Sequence, residues 1–568
     1  MESKEDLKVL RHSAAHLLAH ALSELYPEVK LTIGPATEEG FFYDIILPNN
    51  LKEEDLDIIE KRMHEISDLD YKIEHKEISK QEARELYKNN PFKLELIDNI
   101  PGDYVGLSVQ GDFKDLCRGG HVLSTGEIKY FKLTGLSGSY WRASRENQAL
   151  QRVHGTAFFT KEDFDNYEKR IEEALRYDHR RLSKQLDLFS FNQEAVGFPF
   201  FHPKGKAVLN VLINYMRKLH YYNNYKEIST PTLLNDELWH RSGHYAHYKE
   251  NMYFTCVDEA SYAIKPMNCP GSFLIFKTRP RSYKELPLKL AEFGHVHRHE
   301  LSGVLHGLLR VRAFTQDDAH IYCTLEQIEQ EVLTILNIAF DVLKKCEFAD
   351  INLALSTKPE KAMGDDNIWQ NATNSLKNAL DKLGYPYAIK EGEGAFYGPK
   401  IEIVIKDSMG RQWQCGTVQL DFFQAENFDL KYVASSGGFE RPVIIHQAIY
   451  GSLERFFAIL LEHYKGNLPF WLAPIQLSIL TITDQQKDYA QKVKNVIERE
   501  RIRFEIDESS DPINAKIKSA QTEKIPLMLI LGKKEEENNS VSIRYQNGKQ
   551  EFNVSLELLV EKLRILNQ

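Results

Sequence analysis

The spacing of apolar and polar residues changes along this chain, and the changes mark its elements. Near the N-terminus Leu10, Leu17, Leu18, Leu22 and Leu25 recur at helical spacing, while His12, His16 and His20 follow a second line four residues apart. From Lys161 to Phe189, Phe164, Tyr167, Ile171, Leu175, Leu182 and Leu186 recur with charges between them. That pattern predicts a long amphipathic helix or helix pair linking two domains. Ala207–Tyr222, Leu325–Phe348 and Asn367–Gly384 read as further helices. Leu290–Val296 is strand-like and breaks into His297-Arg298-His299-Glu300 and a Ser-Gly turn. The chain then returns from Leu308 to Phe314, with Arg310 and Arg312 alternating with apolar residues. These features predict two antiparallel strands with a long loop, polar groups gathered at the loop and on one face. A strand pair follows at Ile401–Lys406 and Gln412–Leu420, then a strand near Ile444, a Gly-Ser turn, and a helix carrying Glu454 and Arg455. Lys226–Pro231 reads as a strand ended by proline. After Pro474 strands and helices alternate, as in a small α/β domain.

Composition narrows the class. The 568 residues suit about three or four domains. Hydrophobic residues at 42% and charged residues at 27% describe an ordinary globular protein, with no run long enough to span a membrane and no secretory signal. The six scattered cysteines read as reduced thiols of a cytoplasmic protein. A net charge of −10 argues against a sequence-blind nucleic-acid binder but not against a local basic face.

Two constellations carry chemistry. His12 and His16 form HxxxH, and Asp115-Leu116-Cys117-Arg118-Gly119-Gly120-His121 contains CxxxH. Together they suit a tetrahedral metal site, or a metal-free hydrolytic pocket with histidine as general base; the plain alternative is a helix with solvated histidines. Tyr43 lines the same pocket or belongs to the core. Cys269 falls where a strand breaks into the turn Met267-Asn268-Cys269-Pro270, at a mouth unless it is an inert buried thiol. Arginines on the 290–320 hairpin suit an anion, and the helix start near Arg455 is a ready phosphate site. Glu391–Lys400 is glycine-rich but misses the dinucleotide fingerprint, and no Walker A sequence is present.

These segments resemble the class II aminoacyl-tRNA synthetases, and among them the threonyl-tRNA synthetase family. The segment around Pro231 resembles motif 1, Arg298-His299-Glu300 the motif 2 loop, and Gly451-Ser452-Leu453-Glu454-Arg455-Phe456 motif 3. The resemblance covers essentially the whole chain. It implies a multidomain α+β protein: an N-terminal α+β editing domain (1–160), a helical linker (161–190), an antiparallel-sheet catalytic core (191–469) and a C-terminal α/β anticodon-binding domain (470–568). It implies attachment of threonine to tRNA(Thr) through threonyl-adenylate, with hydrolysis of mischarged Ser-tRNA(Thr). Arg298, Glu300, Arg310, Gln414, Ser452 and Arg455 are then expected on ATP. Met267, Arg298, Asp318, Tyr397 and Gln419 are expected on threonine. His244, Lys400, Arg298 and Arg455 are expected near the reacting groups. Cys269, His320 and His446 resemble the ligands of one zinc ion per chain, an open set of one Cys and two His. Mg2+ is expected with ATP. His12, His16, Tyr43, Asp115, Cys117 and His121 are expected to form the editing pocket, for which the resemblance favours hydrolysis without bound metal.

The resemblance further implies a homodimer in the cytoplasm with tRNA(Thr), ATP and L-threonine as partners. Lys533, Lys534, Arg544 and Lys549 are candidate tRNA contacts, although acidic and basic residues balance after Phe470. Three departures stand out. The family often carries a small domain ahead of the editing domain, and this chain starts at the editing helix, so the expectation is that the enzyme lacks that domain or was trimmed. His299 stands where Asn is common, and Gly120 where Pro is usual. The competing reading is a catalytically inactive paralogue that binds tRNA as a regulator; a stand-alone editing hydrolase is the third.

Overall fold

The computed structural model describes residues 4–144, 146–360 and 362–567, and these divide into two compact units at Glu172/Glu173. The division falls inside a helix, Lys161–Arg176, which is followed by a second, His179–Leu186. The Asp178 side chain starts the second by accepting the Arg180 N–H at 2.8 Å.

In the first unit the helix Lys4–Leu25 lays Leu10, Ala14, Leu17, Leu18 and Leu22 into a core with Phe41, Tyr43, Ile59, Phe131 and Val153. The sheet beneath orders its strands Lys30–Leu31, Phe41–Ile46, Ala149–Phe158, Tyr130–Tyr140. A second sheet, Ile73–Ser79 with Tyr104–Gln110 and Phe113–Leu116, delivers Asp115 and the Cys117 loop.

The second unit is built on an eight-stranded sheet. Its order is Lys226–Glu227, Leu288–His297, Ala313–Cys323, Val443–Ala448, Gln412–Asp421, Lys400–Lys406, Ile351–Ser356, Tyr387–Lys390. The six central strands pair antiparallel, and a short parallel strand closes each edge. Period-two alternation divides the faces. Ala319, Ile321, Val418, Leu420, Ile401, Ile403, Val443 and Ile445 enter one core with the helices Ile328–Lys345, Asp366–Leu383 and Leu453–His463. The residues between them, Asp318, His320, Gln419 and His446, face the other way. A five-stranded sheet with the helices Lys487–Arg499, Ile513–Thr522 and Leu556–Leu566 ends the chain. Among the described residues no helix is long and apolar enough to cross a membrane.

Several expected elements shift. The return strand of the 290–320 hairpin begins at Ala313, not Leu308. Leu308 and Leu309 bury in a single turn, Gly307–Leu309, so Arg310 and Arg312 belong to the loop and do not alternate on a strand. Arg312 Nε instead donates to the Glu300 carbonyl at 2.8 Å. The strand before Pro231 is only Lys226–Glu227. Cys269 opens a helix, Cys269–Phe276, whose first turn Pro270 suits because proline needs no N–H partner there. Helix Ile513–Thr522 and strand Gln550–Ser555 form on weak local patterns.

Phe457 is fully buried between the Phe189 and Phe201 rings. Phe457→Ala is expected to lower the unfolding free energy by about 3–5 kcal/mol, measured as a shifted urea midpoint at constant m. A loss below about 1 kcal/mol would contradict this packing.

Candidate active sites

Strand register assembles the first site. Directly opposed residues are His320 with His446, His446 with Gln419, and Gln419 with Lys400. Opposed residues point to the same face, so four side chains from neighbouring strands stand in one row. The helix start at Cys269 meets that row. Cys269, His320 and His446 each offer one ligand atom, all within 4.8 Å of one another. His320 Nε2 is buried and has no hydrogen-bond partner among the described residues. Burial, reinforced by His446, holds the His320 imidazole well below its usual pKa, which leaves a lone pair free. His446 Nε2 lies 3.0 Å from Asp421 Oδ2. Burial works against charge on His446, but hydrogen bonds to Asp421 and Cys269 outweigh it and raise its pKa to about 10. The pocket therefore attracts positive charge, and one thiol with two imidazoles fits zinc with open positions.

The other residues expected on threonine lie around this row. Asp318 is two residues from His320 on the same face, and Asn268 Nδ2 donates to its Oδ2 at 3.1 Å. Burial pushes the Asp318 carboxyl up to about 6. The Tyr397 hydroxyl donates to Gln419 Oε1 at 3.1 Å, and Gln419 Nε2 donates to the Gly398 carbonyl at 3.3 Å. Met267 is half-buried beside Cys269. Lys400 pairs with Glu402 at 2.6 Å. His244 is buried with Nδ1 2.7 Å from Ser242 Oγ.

A cavity of about 620 Å³ is lined by all six residues expected on ATP: Arg298, Glu300, Arg310, Gln414, Ser452 and Arg455. Arg298 is held by the Pro266 carbonyl at 3.2 Å and by the Phe314 face at 5.1 Å. Glu300 and Arg310 pair at 2.9 Å. Ser452 caps the helix Leu453–His463 by accepting the Arg455 N–H at 3.1 Å, which opens the helix N-terminus toward the cavity.

Sequence reasoning missed the groups that hold this frame. Asp317 accepts the N–H groups of Ile449, Tyr450 and Gly451, each at 2.9 Å, and so shapes the turn before the helix. Gly451 takes φ +74 there, a conformation that favours glycine. Asp317-Asp318 did offer a signal: adjacent strand residues face opposite sides, so one acid had to lie under the helices. Trp413 lines the cavity unannounced by any motif.

The second site lies in the first unit. Cys117 Sγ is 3.1 Å from His12 Nε2 and 3.0 Å from His121 Nε2. His16 Nδ1 is 3.1 Å from Asp115 Oδ2. The Asp115 carboxylate also accepts from the Tyr43 hydroxyl and from Lys93 Nζ, whose ammonium reaches the Tyr43 oxygen at 3.1 Å. Lys93, buried on the helix Pro91–Asn99, carried no sequence signal. The histidines are not solvated. His20 leaves the group: each four-residue step turns the face by roughly 40°, and the His20 ring stacks on Phe113 at 4.9 Å.

Burial alone would raise the Cys117 thiol, but hydrogen bonds from His12, His121 and His16 outweigh it and bring the pKa to about 3. Burial would likewise lower His16, but the Asp115 and Cys117 anions raise it to about 9. The Asp115 carboxyl is pulled far down against burial, chiefly by Lys93 and His16. A thiolate–imidazolium pair therefore persists between about pH 3 and about pH 9. Alkylation of Cys117 by iodoacetamide should already be at its plateau at about pH 6, whereas an ordinary thiol climbs toward a midpoint near 8.5. A midpoint near 8.5 would refute the thiolate.

Comparison with known proteins identifies the domains that carry these residues. The tRNA synthetase class II core domain (G, H, P, S and T) matches residues 254–464. An anticodon binding domain matches 476–566, and the threonyl and alanyl tRNA synthetase second additional domain matches 107–154. The chain is 51% identical over 565 residues to a threonine–tRNA ligase of Clostridium tetani, covering 99% of this chain and 88% of that protein. It is 52% identical over 568 residues to one from Thermotoga petrophila, covering 99% and 89%. Among solved structures it resembles the RNA binding domain of threonyl-tRNA synthetase from Cryptosporidium parvum Iowa II. That match has a TM-score of 0.67 at 42% identity, covering 68% of this chain and 98% of that one.

Proposed function

Because the chain belongs to the threonyl-tRNA synthetases, class II enzymes that attach threonine to tRNA, we propose how its two pockets divide that work. Threonine lies over the His320–His446–Gln419 row, and ATP occupies the neighbouring cavity with Mg2+ on its phosphates. Arg298 sits between the two and holds the α-phosphate and the threonine carboxylate in line. Arg310 and Arg455 hold the outer phosphates, Glu300 and Gln414 the nucleoside, and the capped helix start at Ser452 adds a favourable field. The carboxylate oxygen attacks the α-phosphorus and pyrophosphate leaves. The 3′-terminal ribose hydroxyl of tRNA then attacks the acyl carbonyl and AMP leaves. His244 and Lys400 stand near these groups, and positioning supplies much of the acceleration. The convergence of Cys269, His320 and His446 on the face that carries Asp318 and Gln419 is the observation that supports this reading.

Those three residues would hold a zinc ion, which would supply open coordination positions for the amino group and hydroxyl of threonine. Asp318, Tyr397 and Gln419 orient the same two groups, and Met267 packs beside them. Valine is nearly isosteric with threonine, and an apolar pocket would separate such a pair only ~10²-fold. Recognition of the hydroxyl rejects valine more strongly. Serine keeps the hydroxyl and loses one methyl, worth ~1–3 kcal/mol, so it passes and must be removed afterwards. The first-unit pocket suits that hydrolysis. Cys117 already has His12 and His121 as hydrogen-bond partners, and Asp115 with Lys93 and Tyr43 fixes His16. His12, His16, Cys117 and His121 also bring four potential ligand atoms within 4.8 Å of one another; the hydrogen bonds that Cys117 already makes to His12 and His121 support water attack on the seryl ester without metal as our reading. We also infer a homodimer through the segment around Pro231, since Tyr221 and Tyr222, at the end of the preceding helix, are 78% and 70% exposed.

Threonine-dependent ATP–pyrophosphate exchange tests the assignment. Arg298→Ala should lower it by about 10²-fold or more, and a zinc chelator should abolish it while valine stays inert throughout. Exchange that survives both would overturn the reading. His12→Ala and Cys117→Ala should leave threonylation intact and let Ser-tRNA(Thr) accumulate; unchanged Ser-tRNA hydrolysis in both would remove the editing role.

A further inference from the structure

The helix His179–Leu186 lies in the stretch that reads as a linker and ahead of the matched core. Its first residue, His179, is fully buried and touches two parts of the nucleotide cavity's frame. The Leu308 N–H donates to Nε2 at 3.0 Å. That nitrogen is therefore an acceptor, the ring proton sits on Nδ1, and Nδ1 donates to Glu462 Oε1 at 2.7 Å. The His179 backbone N–H donates to the same oxygen at 3.0 Å.

The connection continues past Glu462. Its other oxygen accepts from Arg411, whose Nε also donates to Asp407 Oδ2 at 2.8 Å. The same Asp407 oxygen accepts the Trp413 Nε1–H at 2.9 Å. The Arg455 guanidinium lies 5.6 Å from the Trp413 ring. Leu308, Trp413 and Arg455 all line the nucleotide cavity. One chain of polar contacts thus joins its loop, its strand and its helix.

The loop is built to reach the ring. Gly307 takes φ +50, and a Cβ there would stand 2.1 Å from His179 Nε2. Asp178, His179 and Glu462 also gather three potential metal ligands, but both His179 nitrogens already have protein partners. The geometry fits an anchor rather than a metal site.

We propose that His179, oriented by Glu462, is a positioning residue for adenylate formation: it pins the Gly307–Leu309 turn and so sets where Arg310 and Glu300 meet ATP. The inference rests on the reading that this cavity takes ATP. It predicts a split between the two reactants. In pyrophosphate exchange, His179→Ala should raise the KM for ATP by about tenfold or more and leave the KM for threonine within about twofold.

The conservative variants separate anchoring from mere packing. His179→Gln can still offer an oxygen to the Leu308 N–H and should recover most of the ATP affinity. His179→Asn reaches Glu462 but not the loop and should behave like His179→Ala. Equal KM values for ATP in all three variants would overturn the proposal. Arg455→Ala serves as the reference. If it raises the ATP KM and His179→Asn does not, only the anchor fails; if neither does, the cavity assignment itself fails. Should the His179 variants not fold, hydrogen exchange in the unaltered enzyme decides. The Leu308 amide should exchange roughly tenfold or more slowly than that of Gly303 in the same loop, and equal rates would refute the anchor.

Discussion

Strand register is the constraint on which the catalytic unit depends. Pairing His320 opposite His446, and His446 opposite Gln419, sets three polar side chains in one row on one face. A slip of one residue in the Val443–Ala448 strand would send His446 into the helix-covered core and Ile445 onto the ligand face. The alternation of Ala319, Ile321 and Cys323 with Asp318, His320 and Tyr322 opposes such a slip, because it would put an imidazole among the apolar helices without its partners. The hydrophobic core therefore does more than stabilise the fold. It determines which atoms can meet above the sheet.

A second layer of buried polar groups carries that register outward to the loops. Asp317, on the core face, holds the turn at Gly451 and hence the start of the Leu453–His463 helix. Glu454 accepts the Thr315 N–H at 2.8 Å and ties that helix back to the strand that bears Asp318. On the ligand-bearing side of the sheet Lys265 pairs with Glu292 at 3.0 Å, and both bond Thr230 next to Pro231. Such groups are expensive to bury and retain their place only when fully bonded. Here they fix loops that apolar packing alone would leave free to shift.

How much of this was legible in the sequence depends on the range of the signal. Alternation near Leu290, Val418 and Ile445 announced the sheet, and HxxxH with CxxxH announced the first-unit pocket, because both are local patterns. The motif residues Arg298 and Arg455 were legible through resemblance. Lys93, Trp413 and His179 were not. His179 and Lys93 act through Glu462 and Asp115, which lie on other elements, and Trp413 acts through Asp407 across the turn that joins its strand to the preceding one; none of these pairings has a helix or strand spacing that would announce it. The limb from Leu308 to Arg312 misread as strand for the same reason: its leucines bury against a helix some 150 residues later rather than against a strand partner.

X-ray absorption at the zinc edge tests the register-built ligand set most directly. One zinc per chain is expected, with one sulfur at about 2.3 Å and two imidazole nitrogens at about 2.0 Å. The remaining shell should change when threonine is added but not when valine is, and Cys269→Ala should remove the sulfur. A zinc shell without sulfur, or one indifferent to Cys269→Ala, would contradict it.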